Sequence, residues 1–129
     1  MFRLISPSKL GRLVTITVAV QILTLALSYV LWISDGCDPL VPFISDTDTN
    51  PASSWAFTAG FTITGILMIP LSIQFYLLRG KWSRENPDSG IEKLNLISTI
   101  SALLSGICLI WISHTPWHIS MELHMIQAT

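Results

Sequence analysis

The sequence predicts an all-α integral membrane protein with three transmembrane helices, the start of a fourth helix and a cytoplasmic amino terminus. Half of the residues are hydrophobic and only 12% are charged, whereas roughly a quarter of the residues of a soluble domain are charged. Three long stretches, at about residues 13–33, 55–78 and 94–113, contain no Asp, Glu, Lys or Arg. Each is long enough for a helix that crosses a bilayer, which needs about 20 residues.

The first apolar stretch follows Arg3, Lys9 and Arg12 and admits two interpretations. A cleaved signal peptide also begins with a basic segment, but its apolar region is usually about 7–15 residues long and ends at a small-residue cleavage site. Residues 13–33 are longer than that and lead into no such site. We therefore interpret them as the first membrane span, with the signal peptide as the alternative.

The second and third stretches carry small residues at four-residue spacing, which places these residues near one face of each helix. Small residues let the backbones of two membrane helices approach closely, so that packing drives their association. We expect these faces to pack within the chain, and the alternative is that they mediate self-association. The predicted packing residues are Ala56, Gly60, Thr64, Ser98, Ala102 and Gly106.

The distribution of basic residues predicts the orientation in the membrane. All seven Lys and Arg residues either precede the first span or lie in the segment 79–93, whereas residues 34–54 and 114–129 contain none. Lys and Arg near the ends of membrane helices stay on the cytoplasmic side. This rule places the amino terminus and the loop 79–93 in the cytoplasm, and the loop 34–54 and the tail outside.

A short apolar run at residues 123–128 follows a predicted outside turn at residues 114–117. The run is too short to cross a bilayer. It is either an interfacial helix or the beginning of a fourth span, and we expect a fourth span. The single membrane domain of residues 1–129 would then be a fragment of a longer polytopic protein.

The sequence indicates no catalytic residue and no cofactor. It has no nucleophile elbow and no glycine-rich phosphate loop, and the spans lack the charged residues that mark ion pathways. The basic residues flank the spans and form no patch interleaved with aromatic residues, which argues against nucleic-acid binding. Cys37 and Cys108 form neither a disulfide framework nor a metal motif by their spacing.

The three histidines lie close together near the end of the sequence. His114, His118 and Glu122 recur every four residues and His124 follows, so imidazole and carboxylate ligands for zinc are present. Pro116 interrupts the helix that would align the first two. We therefore predict no metal site and interpret this cluster as an interfacial one.

The outside loop contains the most distinctive motif of the sequence, Pro42-Phe43-Ile44-Ser45-Asp46. Its prolines and its Ser and Thr hydroxyls, which cap turns, predict a structured loop. A Pro-Phe-Ile-Ser-Asp segment between a first and a second membrane helix resembles the signature loop of the DRAM (damage-regulated autophagy modulator), Frag and Sfk family of membrane proteins.

A second match lies near the end of the chain. Members of this family have six helices, and the fourth opens with a His that is followed four residues later by a small residue; His124 and Ala128 occupy the corresponding places. The resemblance thus covers the amino-terminal half of such a protein. The sequence departs from the family pattern at Asp48, where glycine is usual, and at Ala52 and Ser53, where a Pro-Glu pair is usual.

The resemblance implies a non-enzymatic multi-pass protein that acts in lipid handling, membrane trafficking or autophagy. It implies an endomembrane, lysosomal or Golgi, or else the plasma membrane, with membrane lipids and other membrane proteins as partners. Asp46, His118 and His124 would form a polar site at the outer mouth of the bundle. Two alternatives remain: a lipid-modifying enzyme or accessory factor in the remodelling of GPI-anchor lipids, and an adaptor that binds other membrane proteins through its small-residue faces.

Overall fold

The described part of the chain is helical and contains no strand. A computed structural model describes residues 3–40, 44–86, 90–116 and 118–128. The helices, in chain order, are α1 (Pro7–Ser34), a 3-10 helix (Ile44–Asp48), α2 (Pro51–Glu85), α3 (Ile91–Ile112) and α4 (Met121–Ala128). α1, α2 and α3 are long and apolar enough to cross a membrane, which confirms the predicted fold class.

The long helices α1 and α2 extend beyond the apolar stretches that predicted them, because the flanking residues favour helix ends. α1 starts at Pro7 and α2 at Pro51, and proline suits the first turn because an N–H there has no partner within the helix. Asn50 caps α2, and its side-chain oxygen accepts a hydrogen bond from the N–H of Ala52 at 2.7 Å. The connections between the helices are therefore shorter than the predicted loops 34–54 and 79–93.

α2 is the central helix and packs against both α1 and α3. Gly60 faces α1, because a Cβ atom built on it would overlap the side chain of Thr24. Gly65 faces α3, because a Cβ atom there would lie 2.6 Å from the backbone oxygen of Gly106. Gly60 and Gly65 are five residues apart, and five residues turn a helix by about 140° beyond one full turn. The two glycines therefore lie on different faces of α2 and contact different helices.

Small polar side chains, together with Ala56, Phe57 and Phe61, fill the contacts between helices, whereas most other large apolar side chains are exposed on the outside of the bundle. Thr17, Thr24 and Thr64 are buried, and each hydroxyl donates to the carbonyl oxygen four residues earlier, at 2.7–2.9 Å. Ile22 and Leu23, by contrast, are 60% and 66% exposed. Such an apolar surface is a liability in water but is covered by lipid in a bilayer, where small residues form the helix contacts. The fold is therefore that of a multi-pass membrane protein.

α2 runs antiparallel to both α1 and α3, and the bundle has two chemically different ends. At one end the Asn50 amide nitrogen donates to the Asp35 carboxylate at 2.7 Å. At the other, the Gln74 side-chain oxygen accepts a hydrogen bond from the N–H of Ile5 at 2.9 Å, and the Arg79 guanidinium donates to the Ser98 hydroxyl at 2.7 Å. We call the first, formed by the described residues of 34–54 and 113–120, the loop end. We call the second, formed by residues 3–12 and the described residues of 74–95, the basic end.

We predict that the basic end faces the cytoplasm, because Lys and Arg beside membrane helices resist translocation. Cys37 and Cys108 would first be removed, and single cysteines would then be placed as Arg84→Cys and Asp46→Cys. In sealed microsomes, whose outer surface is cytoplasmic, Arg84→Cys is expected to react with an impermeant maleimide, and Asp46→Cys only after detergent is added. The reverse order of labelling would contradict the orientation.

Candidate functional site

The chain that leaves α1 at the loop end folds back over that helix. The Tyr29 hydroxyl donates to the carbonyl oxygen of Pro39 at 2.6 Å, and the Trp32 indole nitrogen donates to that of Asp38 at 2.8 Å. Gly36 allows the reversal, since its φ of 82° lies in the left-handed region that glycine enters without steric cost. These two aromatic residues, near the end of the first span, therefore position the loop.

The 3-10 helix places two buried side chains, Thr47 and Asp48, against the start of α2. They are 4% and 2% exposed. The hydroxyl of Ser53 donates to the carbonyl oxygen of Thr47 at 2.5 Å, and the hydroxyl of Ser54 donates to Oδ1 of Asp48 at 2.9 Å. A carboxylate is costly to bury unless hydrogen-bond donors surround it. Asp48 is thus an anchor that fixes the loop on α2.

Asn50 joins the two ends of the loop through one side chain. Its Nδ2 donates to Oδ2 of Asp35 at 2.7 Å and lies 3.2 Å from Sγ of Cys37. Its Oδ1 accepts a hydrogen bond from Ala52, as described above. The end of α1, the loop and the start of α2 therefore form one hydrogen-bonded unit, in which Cys37 is a half-buried free thiol.

The loop ends of α2 and α3 are joined by hydroxyl groups. The hydroxyl of Thr58 donates to the carbonyl oxygen of Ser113 at 2.8 Å. The hydroxyl of Thr62 lies 3.1 Å from both the Ser113 hydroxyl and Nε2 of His114. These bonds hold the exposed His114 ring against α2.

An open groove of about 640 Å³ runs along α2 at the loop end. Its apolar lining comes from Trp55, Ala59 and Ile63, and its polar lining includes Thr62 and His114. Ser54, which holds the buried Asp48, also lines it. This loop-end groove thus joins an apolar strip, suited to a hydrocarbon chain, to hydroxyl and imidazole groups that can form hydrogen bonds near the membrane surface.

The predicted loop motif is only partly within the described residues. Ile44, Ser45 and Asp46 begin the 3-10 helix, whereas Pro42 and Phe43 lie outside the described residues. The backbone oxygen of Asp46 accepts hydrogen bonds from the N–H and hydroxyl of Thr49, at 3.0 and 2.7 Å. The half-buried Asp46 side chain has no hydrogen bond to any other described residue.

The predicted polar site of Asp46, His118 and His124 stays a prediction. His118 is exposed in the turn that follows α3, and the side chain of His124, on α4, lies outside the described part of the structure. Across the described residues there is no group of three His, Cys, Asp or Glu side chains able to hold a metal ion.

The predicted packing residues differ in whether they lie at a contact between helices. Ala56 and Thr64 are buried, Gly60 faces α1, and Gly106 is buried against Gly65. Ser98 is exposed and bonded to Arg79, and Ala102 is half-buried. On α3 the buried positions include Asn95, Thr99 and Gly106. These three residues are separated by four and then seven positions, whereas the predicted row used repeated steps of four. Each step of four rotates the position by about 40° around the helix axis, so the observed spacing stays closer to one helix face.

Three residues important to this arrangement were not predicted as site residues from the sequence: Asp48, Asn50 and Gly65. Asn50 followed by Pro51 did carry a signal, because a capping residue before a proline marks the start of a helix. Asp48 stood out only as a departure from the family pattern, and nothing in the sequence indicated that its side chain would be buried against α2. Gly65 falls between the four-residue steps of the predicted row.

Comparisons with known proteins give one family match and one similar protein of another name. A family model described as the Frag1/DRAM/Sfk1/Cwh43P N-terminal domain matches residues 10–129. The chain is also 37% identical over 91 residues to a Solanum tuberosum protein named respiratory burst oxidase homolog protein B. That similarity covers 70% of this chain and 10% of the potato protein, so the chain spans about a tenth of that relative. No solved structure matches the chain.

Proposed function

The chain belongs to the Frag1/DRAM/Sfk1/Cwh43P N-terminal domain family, and from this membership we propose that it binds a membrane lipid as a non-enzymatic component of lipid handling. Such a component would serve trafficking or autophagy in an endomembrane, or act in the plasma membrane. The observation that supports this proposal is the loop-end groove, in which an apolar strip on α2 lies beside polar side chains and next to Ser54, the hydrogen-bond donor to Asp48 of the loop.

The physical chemistry of a bilayer determines which part of the loop-end groove would recognise a lipid. A hydrocarbon chain gains little by moving from other lipid tails to Trp55 or Ile63, because both surroundings are apolar and only packing differs. Lipid tails, by contrast, cannot form hydrogen bonds to Thr62 and His114. Selectivity would therefore come from the polar side of the groove, for lipids that carry hydroxyl or amide groups at that depth.

We predict that Ala59→Trp fills the loop-end groove and excludes the lipid, because Ala59 is exposed in the groove lining. The purified chain would be reconstituted in liposomes with a lipid that carries a photoreactive acyl chain, and crosslinked peptides would be quantified by mass spectrometry. We expect crosslinking to residues 51–63 to fall roughly tenfold, which corresponds to a loss of about 1.4 kcal/mol.

The matched control for this experiment is Ala26→Trp, which adds the same ring to an exposed position on α1 outside the groove. It should leave crosslinking of residues 51–63 unchanged. Equal labelling of the native chain and Ala59→Trp would contradict lipid binding in the groove. Copurification of a protein, with no lipid crosslinked there, would indicate the adaptor role instead.

A second candidate, a lipid-modifying enzyme, is favoured by the pair of Thr62 and His114. A hydroxyl 3.1 Å from an imidazole nitrogen has the separation of a nucleophile and its general base. However, the same hydroxyl also meets Ser113, and no described residue orients the other nitrogen of His114. Lipid turnover by the native chain that is lost in Thr62→Val, with lipid crosslinking retained, would support the enzyme over the binding protein.

A further inference from the structure

The basic end of the bundle contains a second cavity, separate from the loop-end groove. It has a volume of about 730 Å³ and lies between α2 and α3. Ligand pockets in proteins usually have volumes of about 300–1,000 Å³. The cavity lies beside Tyr76 and Leu77, where the apolar part of α2 gives way to its basic residues. In a bilayer, this transition from apolar to basic residues would place the cavity near the lipid headgroups.

Two basic side chains line this basic-end cavity, Arg84 from α2 and Lys93 from α3. The hydroxyl of Ser83 lines it as well. α3 begins beside the cavity after Gly90, which has no side chain to cap the helix. Since the first turn of a helix leaves N–H groups without partners in the helix, this wall adds partial positive charge. The cavity thus offers several donors to an anion.

The same cavity also offers acceptors, which a site for a simple anion would not need. The Glu92 carboxylate lines it, and so does Asn95, which is only 3% exposed. Nδ2 of Asn95 donates to the carbonyl oxygen of Tyr76 at 3.0 Å, whereas its buried Oδ1 has no hydrogen-bond partner among the described residues. A buried oxygen without a hydrogen-bond donor destabilises the protein, and a donor on a ligand would offset that cost.

We propose that the basic-end cavity binds the headgroup of an anionic aminophospholipid of the phosphatidylserine type. This headgroup carries a phosphate, a carboxylate and an ammonium group. The two anionic groups match Arg84 and Lys93, while the ammonium group matches Glu92 and the Oδ1 atom of Asn95. Among the described residues that line the cavity, two side chains are basic and one is acidic, so their summed charge is positive, opposite to that of the headgroup. The proposal does not depend on the loop-end groove.

Binding would be measured by native mass spectrometry on the purified full chain in detergent, titrated with phosphatidylserine, phosphatidic acid, phosphatidylethanolamine and phosphatidylcholine. Phosphatidylserine should bind most tightly, because it alone of the four carries both anionic groups and the ammonium group. The double variant Arg84→Gln/Lys93→Gln should weaken it roughly tenfold, since charge-assisted hydrogen bonds are lost. The control, Lys9→Gln/Lys81→Gln, removes the same charge from exposed residues outside the cavity and should change little.

Two further variants separate this headgroup from other anions. Glu92→Gln should abolish the preference for phosphatidylserine over phosphatidic acid. Gly80→Leu should prevent binding by occupying the cavity, because a Cβ atom at this position meets Asn95 and Arg84 at ordinary contact distances of 3.8 and 3.9 Å. The fold should therefore persist in Gly80→Leu. Gly11→Leu, where a Cβ atom meets nothing within 4 Å, is its control.

Three results would overturn the proposal. The first is equal weakening by the two double variants, which would indicate attraction by surface charge alone. The second is binding of phosphatidic acid as tight as that of phosphatidylserine, which would exclude recognition of the ammonium group. The third is displacement of phosphatidylserine by millimolar inorganic phosphate, which would identify a site for a free anion. None of these results bears on photocrosslinking in the loop-end groove.

Discussion

Gly65→Leu is expected to separate α2 from α3 and to remove most of the folded protein. A Cβ atom at Gly65 would lie 2.5 Å from Cγ1 of Ile110 and 2.6 Å from the backbone oxygen of Gly106. A flexible side chain can move aside, but the backbone of α3 can yield only if the whole helix shifts. Overpacking of this kind costs about 1–3 kcal/mol, and more where the backbone must move.

The measurement for Gly65→Leu is the yield of monodisperse protein after extraction in mild detergent, together with its melting temperature. Gly106→Ala should have a smaller effect, because a Cβ atom there meets its nearest neighbours, the Gly65 oxygen and Cβ of Met68, at 3.2 and 3.3 Å. Gly11→Leu should have none. Equal yield and melting for Gly65→Leu and Gly11→Leu would show that α2 and α3 do not approach closely at Gly65.

Asp48→Ala is expected to release the loop from α2 while the membrane helices remain assembled. The change removes the acceptor of the Ser54 hydroxyl and leaves a void where a carboxylate was 2% exposed. Loss of a buried hydrogen-bonding partner costs about 1–3 kcal/mol. The open form of the loop should therefore become at least about fivefold more populated.

The Cys37 thiol can report this opening, because it is half-buried in the same hydrogen-bonded unit. In a Cys108→Ala background, its alkylation rate should rise at least about fivefold in Asp48→Ala, in proportion to the open population. Asp46→Ala is the matched control, since it removes a nearby carboxylate that forms no hydrogen bond with another described residue. If both variants react at the same rate, Asp48 is not the anchor of the loop.

The fold was predictable from sequence because one physical requirement controls it. A helix in a bilayer must satisfy its own backbone hydrogen bonds and present apolar side chains to lipid, so uncharged stretches reveal α1, α2 and α3 directly. The positions at which the helices begin and end were less predictable. Apolarity identifies the part of a helix inside the bilayer, whereas α2 continues to Glu85 in residues that water also accommodates.

The candidate sites were less predictable, because they depend on contacts between residues distant in sequence. Asp48 is buried only because the 3-10 helix lies against Ser53 and Ser54. Arg84 and Lys93 contributed to the predicted orientation in the membrane, but the cavity that they line forms only when α2 packs on α3. A charge pattern specifies the side of the membrane and contains no information about the space between helices.

The arrangement of glycines on α2 has a consequence for how the protein is made. Gly60 contacts α1 and Gly65 contacts α3 on different faces of α2, so neither contact needs the other to form. A nascent chain emerges from its amino terminus, and its earlier parts can fold first. The hairpin of α1 and α2 would therefore be complete while α3 is still in the ribosome. A Gly60→Leu chain would already fail at the hairpin during insertion, whereas a Gly65→Leu chain would fail one helix later, with the hairpin intact.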